Sequence, residues 1–111
     1  MTTFGLVHGA WHGGWCWQRL IPELEALGHR AVGMDLPTDD PHAGAERYAA
    51  IVLQALDGVD QNVVVVGHSL AGLVIPAVAS MRPVRHLVFL CALVPRPGAS
   101  WSRPMPVASC H

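Results

Sequence analysis

Apolar positions in this chain fall into short blocks that alternate between two periods. Residues 4–7 form a brief apolar run stopped by His8 and Gly9, and residues 30–36 form a second one ended by Pro37. Both predict buried strands. Between them, Leu20, Leu24 and Leu27 recur at helical spacing within residues 17–27, and Gly28 supplies the stop. Pro22 fits that helix only in its first turn, where a missing N–H costs nothing. Residues 38–44 read as a polar loop. Residues 45–57 predict a second helix with Tyr48, Val52, Ala55 and Leu56 on one face and Gly58 beyond its end. A valine run at 63–66, a small-residue helix over about 70–80 and an apolar strand at 86–94 follow. The order β-α-β-α-β-α-β predicts an α/β fold, a parallel sheet of about four strands with helices on both faces.

Composition narrows the function classes. The 111 residues suffice for one domain with a real core, and 51% hydrophobic against 14% charged residues argues against disorder. The seven cations are all arginine and the net charge is −1, with no basic stripe or acidic block. No nucleic-acid or membrane partner is therefore expected. Cys16, Cys91 and Cys110 lack metal or redox spacing. The expectation is reduced thiols in a cytoplasmic protein, with Cys91 filling core and neither metal nor cofactor bound. The first ten residues lack a secretory pattern, and no apolar run approaches the roughly 18 residues that span a bilayer.

The candidate chemistry sits at residues 63–72, VVVVGHSLAG. A buried strand runs into a turn made of small residues and then into a helix, a context that can lift Ser69 clear of the sheet as a nucleophile. The bland alternative is that Ser69 merely caps the helix. In a parallel sheet, ligands bind at the carboxyl ends of the strands. That edge collects residues 8–11, 35–38, Ser69 and 92–95.

Four strings in order, LVHGAWHGGWCW, DLP, GHSLAG and HLVFLCALVP, together resemble the α/β-hydrolase fold. Within it they resemble the branch of plant methyl esterases, hydroxynitrile lyases and bacterial esterase-like relatives. The resemblance covers residues 3 to about 100. It implies that residues 1–100 are the N-terminal portion of such a domain, a truncated fold, and that 101–111 begin a cap or form a disordered tail. It also implies Ser69 as catalytic nucleophile and the backbone N–H groups of Ala10 and Leu70 as oxyanion donors, with Trp11 bordering the substrate. His8 and Gly9 would shape the loop. Neither His8 nor His68 suits the base, whose family position lies far downstream. Asp35 is expected to hydrogen-bond a loop, and most tryptophans after the His-Gly turn to pack against the sheet.

The implied function is a serine hydrolase acting on small carboxylic esters, of low or no activity in this chain, because no Asp or Glu follows Asp60. The alternative is a non-catalytic remnant that keeps the pocket. A hydroxynitrile-lyase-like reading is disfavoured, since such enzymes use a threonine near the oxyanion loop and a lysine, whereas Ala10 and Trp11 occupy this loop and lysine is absent. The strand at 86–94 would leave one edge unpaired, a route to self-association.

Overall fold

The structure is a computed structural model that describes residues 1–10, 12–59 and 61–92. Four strands, β1 (Thr3–Val7), β2 (Arg30–Gly33), β3 (Val63–His68) and β4 (His86–Leu90), form one parallel sheet in the order β2-β1-β3-β4. Helices α1 (Leu20–Ala26), α2 (Ala45–Ala55) and α3 (Ile75–Met81) make the crossovers. The period-2 geometry of a strand explains the two cores. Val63 and Val65 face a cluster holding Tyr48, Val52 and Leu56 with Ile75 and Val78, on the α2 and α3 side. Val64 and Val66 face Leu6 and Trp17, with Ile21 and Leu24 of α1 on the other side. An unbroken valine run is what a strand covered on both faces requires. The expected α/β architecture with helices on both faces is the one observed.

Differences from the sequence reading lie at the ends of elements. The first helical segment divides into a 3-10 turn at Gly14–Trp17 and α1, so Pro22 falls in the first turn of α1. Its buried stripe is Ile21 and Leu24, whereas Leu27 is 73% exposed. The predicted 30–36 strand pairs only through Gly33, because Met34 and Leu36 turn inward as core residues beyond the ladder. The helix after the serine opens as a 3-10 segment, Ser69–Leu73, before α3. Gly28 and Gly58 end α1 and α2 with φ of 86° and 84°, values that favour glycine. Arg82, just past α3, donates to the carbonyls of Leu56 and Val59 and so ties the end of α2 to α3.

Two expectations need correction. The reduced-thiol reading holds for Cys16, which is free, but Cys91 is disulfide-bonded. The thiols therefore lend no support to a cytoplasmic address. Trp17 packs on the sheet as expected, while Trp15 is 63% exposed and packs on no core. Trp11, Trp101, Cys110 and the whole of 101–111 lie outside the described residues, as do the last positions of the predicted 86–94 strand. Among the described residues no helix is long and apolar enough to cross a membrane.

Candidate active site at the sheet switch point

Strand order dictates where a ligand can enter. From β1 the chain steps to β2 on one side, then crosses back to place β3 on the other side of β1. The crevice beyond the carboxyl ends of β1 and β3 is thus the switch point of the sheet. Register brings the two motifs level there: Val7 lies opposite Gly67, so Gly9 and Ser69 leave their strands side by side.

Ser69 has φ of 57°, a left-handed conformation that a serine adopts at a cost of roughly 1–3 kcal/mol. Its surroundings hold it there. A β-carbon at Gly67 would stand 2.9 Å from Ile75 Cγ2 and 3.0 Å from the Ala71 carbonyl, so only glycine lets α3 close on the strand end. A β-carbon at Gly9 would stand 2.9 Å from both the His68 carbonyl and Ser69 Cβ, and 3.5 Å from Ser69 Oγ. The loop after β1 therefore lies against the serine with no room to spare. Ser69 itself is half-buried, and no side chain caps the start of its 3-10 segment. The helix-cap alternative finds no hydrogen bond of that kind.

His8 holds the adjoining loop by both ring nitrogens. Its Nε2 accepts the Leu36 N–H at 2.8 Å, which requires the proton on Nδ1, and Nδ1–H donates to the Gly9 carbonyl at 2.8 Å. With both nitrogens engaged and the ring buried, His8 has no lone pair to offer Ser69. His68 is turned the other way. Its ring meets His12 edge-on at 5.5 Å and Trp17 at 6.3 Å, on the α1 side of the sheet. Burial, and then the nearby His12, push the His68 pKa below its ordinary value. Asp35 accepts the Gly14 N–H at 2.7 Å, the loop hydrogen bond expected of it.

The two residues singled out as amide donors, Ala10 and Leu70, line one small cavity with His8, Gly9, Leu36 and Tyr48. Trp11, the candidate pocket residue, lies outside the described residues. Sequence reasoning treated Tyr48 as a core residue only. It does belong to the core, yet it also lines this cavity, and its hydroxyl reaches toward the Pro37 carbonyl at 3.4 Å. It is the chain's single tyrosine, set on an otherwise aliphatic helix face, and a buried phenol needs a polar partner. That was the available signal. No group of three or more metal-binding side chains gathers among the described residues.

Comparison with known proteins identifies the family. The chain is 37% identical over 102 residues to Methylesterase 3 of Arabidopsis thaliana, covering 81% of this chain and 39% of that protein. It is 37% identical over 118 residues to the carbendazim hydrolyzing esterase of Nocardioides sp. (strain SG-4G), covering 97% of this chain and 49% of that one. Among solved structures, polyneuridine aldehyde esterase superposes with a TM-score of 0.76 at 29% identity, over 92% of this chain and 44% of the other. A pyrethroid hydrolase from Sphingobium faniae JZ-2 does so with a TM-score of 0.77 at 32% identity, over 88% and 42%. The chain thus spans less than half the length of these relatives. The sequence profile of the alpha/beta hydrolase family matches residues 6–109, and this chain belongs to that family.

Proposed function

We propose that the chain carries the nucleophilic portion of an ester-hydrolysing site. Ser69 Oγ adds to the carbonyl carbon of a small carboxylic ester as its proton passes to a base. The amide N–H groups of Ala10 and Leu70 hold the oxyanion, the alcohol departs, and water then releases the acid from the acyl-serine. The observation that carries this reading is the left-handed serine pressed against Gly9 at the switch point. Similarity to a methylesterase and to a carbendazim hydrolyzing esterase favours an ester over other acyl compounds.

Among the described residues, neither of the histidines flanking the site in sequence, His8 and His68, is set to act as the base for Ser69. His8 is committed at both nitrogens, His68 faces His12 and Trp17, and no carboxylate follows Asp60. A Ser69 left without a base would turn over about 10⁴ to 10⁶-fold more slowly than one in an intact serine triad. The engagement of both His8 nitrogens and the turn of His68 toward His12 and Trp17 favour a second reading, a site that binds esters without turning them over. A fluorophosphonate probe separates the two. Labelling of folded protein that vanishes in Ser69→Ala supports the nucleophile, and folded protein left unlabelled supports binding alone. Cyanide released from a cyanohydrin would instead favour the lyase reading, which Ala10 in the oxyanion loop argues against.

A further inference from the structure

We propose that the cleft between the 40–44 loop and the serine turn is the subsite for an uncharged alkyl group of the ester, an inference that rests on the esterase reading of Ser69. Two cavities adjoin Leu70. The one behind the Ala10 and Leu70 amides holds about 10 Å³. A single water needs about 10–15 Å³ on that scale, so no ester substituent enters it. The other is lined by Asp40, Pro41, Ala43, Gly44, Tyr48 and Leu70, and has about 380 Å³. That falls within the roughly 300–1,000 Å³ range of small-molecule sites.

Leu70 and Tyr48 line both cavities. Leu70 directly follows Ser69, so the wider cleft adjoins the serine turn along the Leu70 side chain. Most of that lining is apolar: Pro41, Ala43, Leu70 and the Tyr48 ring, whose hydroxyl is directed at the Pro37 carbonyl. The exception is Asp40, which is exposed and accepts the His42 N–H at 2.9 Å. Among the described residues no cation lines the cleft, so the carboxylate opposes a second negative charge there. Alkyl chains suit the cleft, and chains ending in a carboxylate do not.

The full chain carrying Ser69→Ala tests this by amide NMR, since binding then requires no turnover. Methyl octanoate is expected to shift the Ala43, Gly44 and Leu70 amides. Monomethyl suberate, of the same chain length with a terminal carboxylate, is expected to bind about threefold more weakly, the scale of one exposed charge. Asp40→Asn should close that gap. Gly44→Trp should weaken methyl octanoate about tenfold by filling the space its chain would bury. Gly44 tolerates the change, with φ of −121° and nothing within 4 Å of an added β-carbon. A dispersed amide spectrum checks the fold of each variant. Shifts confined to other residues, equal affinity for the two esters, or a folded Gly44→Trp variant with unchanged affinity would overturn the subsite. Shifts in the cleft alongside an unlabelled Ser69 in the parent chain would uphold the subsite and remove only the nucleophile.

Discussion

At residue scale, the site depends on a serine whose backbone is strained and whose neighbours leave it no other course. Glycine at position 69 would relieve the left-handed conformation at once, whereas alanine would keep it. Ser69→Gly is therefore expected to be more stable than Ser69→Ala by about 1 kcal/mol in urea denaturation, because L-residues pay roughly 1–2 kcal/mol there. Equal stabilities would mean that the turn is not strained. His8 makes a second case. His8→Leu strands the Leu36 N–H and the Gly9 carbonyl in a buried place, at about 1–3 kcal/mol for an unsatisfied group. A variant as stable as the parent would show that these bonds do not hold the loop. The sequence marked out the serine turn through the valine run before it and the small residues Gly67, Ala71 and Gly72 around it. It did not disclose that His8 spends Nε2 on the Leu36 N–H 28 residues away and Nδ1 on the adjacent Gly9 carbonyl, because the first of these depends on the β1–β2 register.

At the scale of elements, β3 was legible because a strand covered on both faces needs apolar side chains on both. The helices were less so. Leu20, Leu24 and Leu27 share a helical spacing, yet α1 rolls Ile21 and Leu24 onto the sheet and leaves Leu27 in solvent. Trp17 takes the space beside Leu6, Val64 and Val66 that the predicted stripe would have filled. The contact between the 3-10 turn and β3 also carries a pH dependence. Burial and His12 lower the His68 pKa in the folded state, so between that lowered value and 6.5 the unfolded chain binds the extra proton. The stability contributed by neutral His68 is present above pH 6.5 and is lost as the pH falls below it. His12→Asn removes the charge repulsion and keeps most of the burial. The fall in melting temperature from pH 7 to pH 5 is expected to become shallower without disappearing. An unchanged pH profile would show that His12 does not act on His68.

At the scale of the whole molecule, β4 forms one edge of the sheet among the described residues, and that edge is expected to govern self-association. Its inward residues, Leu87 and Phe89, pack on the core, while Val88 and Leu90 remain 41% and 38% exposed. An edge strand with apolar side chains exposed invites pairing with another chain. The sedimentation coefficient is expected to rise with concentration, and Val88→Lys to suppress that rise, since lysine on an edge opposes pairing. A parent chain sedimenting as a monomer at every concentration would contradict this.

The central claim is that a strained serine stands bare beside Gly9, and mass mapping of a fluorophosphonate adduct tests it most directly. An adduct on Ser69 is expected in the folded parent. Labelling is also expected to slow by more than about tenfold in Gly9→Ala, whose β-carbon would meet Ser69 Cβ at 2.9 Å and crowd the oxyanion loop. An adduct on another residue, or a Gly9→Ala variant that labels as fast as the parent, would contradict it.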